Sequence, residues 1–248
     1  MPTIQLPVVH FDQKPGLCGA ATAQTILFFT NKGQVGSQQS DQLALWATIQ
    51  ANTGGTRPAK FDATDCPTWK TQQCDKCKGT NNFVCWCTYP PGLEATLKQY
   101  LPVALMVPAD AEAATAAVIA SVDFQIPSAA LVFNGLHWLT VAGYETDGPN
   151  ARPIGGRQVS AIYVSDPEVG LANHQVSIDE WLNQTMTAVA QCGFYLNKLA
   201  VIAATGPRVM PPNAPTNLRI GAKMHLPPRK KRPVPSWKKS VKKRSKRR

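Results

Sequence analysis

The chain has 248 residues, of which 44% are hydrophobic and 17% are charged. These proportions fit a packed globular body and exclude a wholly disordered or fibrous chain. The net charge of +11 is unevenly distributed, because residues 1–206 contain 11 Lys and Arg against 15 acidic residues, whereas residues 207–248 contain 15 Lys and Arg and no acid. The basicity therefore belongs to the carboxyl-terminal tail.

Neither a secretory signal nor a membrane-spanning segment is evident in the sequence. The opening residues MPTIQ lack a basic segment followed by a long apolar run. The most apolar stretches, residues 113–122 and 128–133, are shorter than the roughly 20 residues that a spanning helix needs. We expect a soluble protein, with a cytoplasmic or nuclear location favoured over standard secretion.

Two helices are predicted in the first part of the chain. Residues 18–30, with the sequence CGAATAQTILFFT, place apolar side chains at helical spacing and predict a buried helix that begins at Cys18. A second helix is predicted over residues 40–50, with Ser40 and Asp41 as candidates for its amino-terminal cap.

Residues 53–91 differ in composition from their surroundings and predict an irregular insertion rich in glycine and proline. Five of the seven cysteines lie there: Cys66, Cys74, Cys77, Cys85 and Cys87. One pair is separated by two residues and another by one, and both spacings occur in structural zinc sites. The alternative is three disulfides that include Cys192 and leave Cys18 free; the sequence does not decide between them.

Strand patterns dominate the rest of the body. The predicted elements are a helix at 92–100, a strand at 103–107, a helix at 110–121, and strands at 129–133, 137–144, 158–165 and 199–203. Helices followed by a mainly antiparallel sheet predict one α+β domain over residues 1–206. In such a domain a nucleophile on a helix can face a base on a strand across a cleft.

Cys18 is the cysteine best placed for chemistry. The reactive form of cysteine is the thiolate, and both the start of a helix and a nearby imidazole favour that negative charge. Gly16 makes a tight approach of the chain possible, and Gly19 and Ala20 leave room for a substrate. Taken alone, Cys18 would be interpreted as a small buried core residue.

His137 and Asp166 are the candidate base and carboxylate. His137 opens the predicted strand HWLTVAGY, and Asp166 ends the predicted strand AIYVSDP just before Pro167. A carboxylate at this position could accept a hydrogen bond from one imidazole nitrogen and leave the other facing Cys18. Considered separately, a structural histidine and an Asp-Pro turn are the alternatives.

Three sequence blocks together resemble a known family. DQKPGLCGAATAQTIL, GLHWLTVAGYETDG and IYVSDPEVG followed by VSIDEWL are similar to the motif blocks of bacteriocin-processing (double-glycine leader) peptidase domains and their free-standing relatives, which are papain-like cysteine peptidases. The resemblance covers residues 5–203. The 248 residues contain neither the membrane domain nor the ATPase domain on which bacteriocin-processing members usually sit, so the free-standing relatives are the nearer comparison.

The resemblance implies a papain-like fold, in which an amino-terminal helical part carrying the nucleophile packs on a carboxyl-terminal antiparallel sheet. It further implies that Cys18 is the nucleophile, His137 the general base and Asp166 the residue that orients the histidine. Gln13, five residues before Cys18, matches the family's glutamine that helps to form the oxyanion hole together with the backbone N–H of Cys18.

The function implied is that of a cysteine peptidase, a thiol protease that hydrolyses a protein or peptide substrate through an acyl-enzyme intermediate and requires no cofactor. Other acyl transfers, such as glutamine deamidation or transglutaminase-like amide exchange, use the same residues and stay open.

The basic tail, residues 207–248, is rich in Pro, Lys and Arg, and we expect it to be disordered. Its segments PPRKKRP and KKRSKRR, within residues 227–248, predict binding of nucleic acid or another polyanion through residues 229–248. A second functional hypothesis follows, in which the tail binds a polyanion and the body is an inactive scaffold. A solubilising charged end is the remaining alternative.

Overall fold

Helices and one antiparallel sheet make up the described part of the chain. The computed structural model describes residues 2–32, 35–38, 40–52, 88–190 and 195–207. The helices are α1 (Cys18–Thr30), α2 (Asp41–Ala51), α3 (Pro90–Lys98), α4 (Ala111–Asp123) and the short α5 (Ile178–Glu180), which continues as a π-helical segment, Trp181–Thr185. Within these ranges, no helix is long and apolar enough to cross a membrane.

The sheet contains eight strands: β1 (Thr3–Gln5), β2 (Val103–Met106), β3 (Ser128–Val132), β4 (His137–Thr146), β5 (Arg152–Ile154), β6 (Arg157–Asp166), β7 (Leu171–Ser177) and β8 (Ala200–Ala204). The main path runs in the order β2-β8-β3-β4-β6-β5, while β1 pairs with β4 and β7 pairs with β6. All of these pairings are antiparallel. The predicted α+β class with an antiparallel sheet is confirmed.

Apolar side chains cover both faces of the sheet. Successive residues of β3 alternate between two hydrophobic clusters, with Ala129 and Leu131 in the first cluster and Ala130 and Val132 in the second, as the two-residue period of a strand requires. Helices α1, α2 and α3 contribute to the first cluster, and α4 contributes to the second. The centre of the sheet, which carries β4, is therefore held between two helical layers.

Helix α1 is the most deeply buried of the helices. Its residues Ala20, Ala21 and Ala23 are fully buried, and such small side chains let a helix approach its neighbours closely. Only Phe28 and Phe29 of its 13 residues are not fully enclosed. Because α1 is packed on several sides, the position of its first residue, Cys18, is set by the core.

The helix starts follow local chemistry. Pro90 and Pro91, which the sequence places at the end of the irregular insertion, form the first turn of α3, where the missing N–H of proline costs nothing. The carboxylate of Asp110 caps α4 by accepting from the N–H of Ala113 at 2.7 Å.

Ser40 precedes α2 as predicted, but its backbone is already helical and its side chain makes no cap hydrogen bond. The carboxylate of Asp41 accepts from the N–H of Gln38, a residue that precedes the helix, at 3.0 Å.

Several sequence predictions lie outside the described residues. These are the cysteine cluster from Cys66 to Cys87, Cys192, and the tail from residue 208 onward. The zinc, disulfide and disorder predictions therefore stay predictions. Within the described ranges, no group of His, Cys, Asp and Glu side chains is arranged to hold a metal ion, and the thiol of Cys18 is free.

Candidate active site

A tight turn brings the chain into Cys18. The N–H of Leu17 donates to the carbonyl of Lys14 at 2.9 Å, which closes a four-residue turn with Pro15 and Gly16 at its centre. Gly16 has a φ of 75°, a conformation that residues with a side chain rarely adopt. Proline followed by a left-handed glycine is the residue pattern of a type II turn. The turn reverses the chain and makes Cys18 the first residue of α1.

The thiol of Cys18 lies at the positive end of the α1 dipole, where negative charge is stabilised. The residue is 9% exposed, so it is largely withdrawn from water. Gly19 is in close contact with Thr88, because a Cβ added to Gly19 would collide with the Thr88 side chain. The Thr88 carbonyl in turn accepts from the indole N–H of Trp138 at 3.1 Å. The residue after Cys18 is thus connected to the residue after His137.

The turn between β3 and β4 holds His137 at the start of its strand. Phe133, Asn134 and Gly135 have φ values of 53°, 61° and 80°. A left-handed aromatic residue is uncommon and is retained only where its surroundings fix it. Here the N–H of Phe133 donates to the carbonyl of Thr185 at 2.9 Å, and the Phe133 ring stacks against the His137 imidazole with centroids 6.3 Å apart. The turn is therefore a rigid support for the imidazole.

Strand register explains why Asp166 reaches His137. Strands β4 and β6 are antiparallel, with Thr140 opposite Ser165. Asp166, the last residue of β6, is consequently opposite Leu139, and His137 is its diagonal neighbour two positions further along β4. Diagonal neighbours across a sheet are within reach of long side chains.

The His137 Nε2–H donates to Oδ1 of Asp166 at 2.8 Å, and both side chains are buried. The same Oδ1 accepts from the N–H of Glu168 at 2.9 Å. Asp166 therefore forms the Asp-Pro turn that the sequence suggested as an alternative and at the same time contacts the imidazole. A register shift in the β6–β7 pairing between Val164 and Asp166, where β7 has one residue more than β6, marks a bulge in β7 beside Asp166. Bulges redirect side chains, and they are common beside active sites.

The electrostatic environment favours a protonated His137. Burial alone would lower the pKa of the imidazole, but the charge of Asp166, its hydrogen bond and the contact with Cys18 outweigh burial and raise that pKa to about 10. Cys18 is among the groups that raise this pKa, so its thiol lies near the imidazole. Because Nε2 is engaged by Asp166, Nδ1 is the ring nitrogen left for Cys18. The structure thus brings together the three residues that the sequence singled out.

Gln13 lies beside the turn that follows Asp166. Its backbone N–H donates to the carbonyl of Pro167 at 2.9 Å, and the turn from Lys14 to Leu17 links it to Cys18. Its side-chain Oε1 is buried and has no hydrogen-bond partner among the described residues. No described hydrogen bond of the fold uses this oxygen, and a buried polar atom without a partner needs an explanation, of which a catalytic role is one.

Two buried glutamines near Gln13 were not predicted. Gln42 bonds to the backbone on both sides of Gln13, and Gln24 bonds to Gln42. A glutamine in the otherwise apolar and small-residue helix α1 is a visible signal, but its partner in α2 is recognisable only in three dimensions.

His10 was also not predicted. Its Nδ1 is 3.0 Å from the Ser165 hydroxyl, and its Nε2 is 3.0 Å from the Asp12 carboxylate. Ser165 is buried and directly precedes Asp166, so the cluster fastens the end of β6 to the segment before Gln13.

A thiol, an imidazole and a carboxylate in this order can transfer a proton from sulfur to nitrogen and stabilise the resulting ion pair. Comparison of the chain with protein-family models and with curated protein sequences finds no match. The geometry of the site and the three sequence blocks around Cys18, His137 and Asp166 are therefore the features that point to a function.

Proposed function

We propose that this protein is a cysteine peptidase of papain-like fold that hydrolyses peptide bonds through Cys18, His137 and Asp166. The observation that carries the proposal is the buried imidazole of His137, which bonds to Asp166 through Nε2 and lies near enough to Cys18, the first residue of α1, for Cys18 to raise its pKa. A purely structural histidine has no need of a free thiol at a helix start on one side and a buried carboxylate on the other.

The reaction begins with the Cys18 thiolate and the His137 imidazolium. The thiolate attacks the peptide carbonyl carbon, a C–S bond forms, and the carbonyl electron pair moves to oxygen. The Gln13 amide and the Cys18 backbone N–H donate to this oxyanion. When the C–N bond breaks, the leaving amine takes the proton from His137.

Water then completes the reaction. His137, now neutral, accepts a proton from the attacking water, and the C–S bond breaks to release the carboxylic acid product and restore the thiolate. Asp166 keeps the imidazole in one orientation throughout and stabilises its positive charge.

The proposal is tested by incubating the full chain with a diverse peptide mixture in ¹⁸O-water and identifying products by mass spectrometry. Hydrolysis gives new termini with ¹⁸O in the new carboxylate, and we expect Cys18→Ala to abolish them. Conversion of glutamine to glutamate without chain cleavage would replace the peptidase proposal by deamidation. Formation of either product at an unchanged rate by Cys18→Ala would refute both.

A further inference from the structure

Gln42 spans the two peptide groups that flank Gln13. Its Oε1 accepts from the backbone N–H of Lys14 at 2.8 Å, and its Nε2 donates to the backbone carbonyl of Asp12 at 2.8 Å. The Gln42 side chain is fully buried. A single amide therefore fixes the backbone immediately before and immediately after Gln13.

Gln24 holds Gln42 from behind. The Nε2 of Gln24 donates to the carbonyls of Gly36 and Gln38, each at 2.9 Å, which uses both of its protons. Its Oε1 must then face Gln42, whose Nε2 donates to it at 3.1 Å. Gln24 bonds to backbone carbonyls, and Gln42 bonds to a backbone N–H and a backbone carbonyl. These bonds leave only one orientation for each of the two side-chain amides.

A third contact approaches from the opposite direction. The N–H of Gln13 donates to the carbonyl of Pro167, the residue after Asp166. The Gln13 backbone is consequently held between α2, through Gln42, and the turn that carries Asp166. None of these bonds uses the Gln13 side chain, so its amide is left available while its backbone is fixed.

We propose that Gln42 is a positioning residue that sets the location of the Gln13 amide for oxyanion binding. This inference rests on the proposed function. Oxyanion stabilisation depends on donors that are held in place before charge develops, and a misplacement of about 1 Å can cost about 100-fold in rate. Gln42 touches no reacting atom and acts through the backbone on either side of Gln13.

The test compares two reactions of Cys18. In acylation by p-nitrophenyl acetate, the thiolate attacks the ester carbonyl, an oxyanion forms, and p-nitrophenolate leaves. In alkylation by iodoacetamide, the thiolate displaces iodide and no oxyanion forms. For Gln42→Met, which is similar in length but has no amide, we expect acylation to fall about 10- to 100-fold while alkylation stays within about twofold of wild type.

A double-variant cycle separates positioning from general support of the fold. If Gln42 acts through Gln13, adding Gln42→Met to Gln13→Ala will cause no further loss of acylation. Thr96→Val is the matched control, because like Gln42→Met it removes a buried polar group beside α2. The hydroxyl of Thr96, on α3, accepts from the Asn52 amide at the end of α2 at 3.0 Å. We expect this control to leave the ratio of acylation to alkylation unchanged.

Gln42→Asn covers the case in which Gln42→Met does not fold. It keeps a buried amide but is too short to reach both neighbours of Gln13, and we expect a smaller loss of acylation in the same direction. Three results would overturn the positioning role of Gln42 without touching the proposed function. These are unchanged acylation in a folded Gln42 variant, an equal fall of acylation and alkylation, and a further loss of acylation when Gln42→Met is added to Gln13→Ala. Absence of any Cys18 acylation in the wild-type chain would overturn the proposed function as well.

Discussion

The imidazole of His137 and the carboxylate of Asp166 are joined at 2.8 Å although they are 29 positions apart in the chain. Their side chains are 5% and 7% exposed. Two ionisable groups withdrawn from water in this way depend on each other, because removal of one leaves the other buried without its counter-charge. The contact links the pKa of His137 to the chemistry of Cys18.

Asp166→Asn should lower the pKa of His137 from about 10 by about 1–3 pH units. Asparagine keeps an oxygen for the Nε2–H and for the Glu168 N–H but removes the negative charge. Cys18→Ala should lower this pKa by less, because Asp166 contributes more strongly than Cys18. NMR titration of the His137 ring measures both changes.

Asp179→Asn is the control for this titration, since it makes the same substitution in a half-exposed ion pair with Arg152. It should leave the His137 midpoint where it is in the wild type. If Asp166→Asn left the His137 titration midpoint unchanged, the Asp166 carboxylate would not be the cause of the raised His137 pKa.

In the Cys18→Ala background, which removes the thiol whose own ionisation would offset the effect, the protein should lose stability as the pH rises above about 6.5. The folded-state pKa of His137 is raised above the unfolded value of 6.5, so the folded chain retains a proton that the unfolded chain has released. The resulting stabilisation is complete below pH 6.5 and disappears as the pH rises towards the folded pKa. Urea unfolding across this range should show a shallower decline for Asp166→Asn, and equal slopes would contradict the assignment.

Helix α1 and the sheet were predictable because their signals are local. The bounds of α1 agree with the prediction, and the central strands agree within about two residues, because apolar periodicity encodes them directly. Strands β1, β5 and β7 were missed. Strands β1 and β5 have three residues each, β5 contains Pro153, which suits an edge position, and the sequence of β7, LANHQVS, is mostly polar. Their formation depends on pairing with β4 and β6, which sequence alone does not reveal.

Gly19→Ala should destabilise the protein by about 1–3 kcal/mol, even though alanine favours helices. The new methyl group would meet the Thr88 side chain, whose backbone is fixed by the Trp138 indole. Removing that side chain as well, in Gly19→Ala with Thr88→Gly, should relieve the collision. Urea unfolding gives the free energies.

The matched control is Gly206→Ala, because a Cβ there would meet no atom within 4 Å. Its unfolding free energy should be close to that of the wild type. Equal stability of the two alanine variants would contradict the close contact between Gly19 and Thr88.

Truncation after Gly206 should abolish binding to heparin or DNA and leave the reactivity of Cys18 unchanged. The expectation derives from the 15 Lys and Arg of residues 207–248, which attract phosphate or sulfate groups with a steep dependence on salt. A variant that keeps the full tail but replaces its Lys and Arg by Gln separates the effect of charge on polyanion binding from the effect of tail length. Retained binding by the truncated chain would move the polyanion site to the body, and loss of Cys18 reactivity would show that the tail supports the site.

The site was only partly predictable. Cys18, His137 and Asp166 stand out because each lies at the boundary of a predicted element and within a recognisable sequence block. Gln42 carries no such mark, since an internal glutamine in a helix resembles a solvated surface residue until its burial is known. The bulge at Asp166 likewise depends on how β6 pairs with β7.

Labelling of Cys18 by iodoacetamide at pH 7, mapped by mass spectrometry in the wild type and in His137→Ala, tests the central claim most directly. His174→Ala is the matched control, because it removes an exposed histidine on β7. We predict fast labelling in the wild type and in the control, and at least a tenfold slower rate in His137→Ala, because an unassisted thiol is only about a few per cent thiolate at this pH. An unchanged rate of Cys18 labelling in His137→Ala would contradict an imidazole-activated thiol.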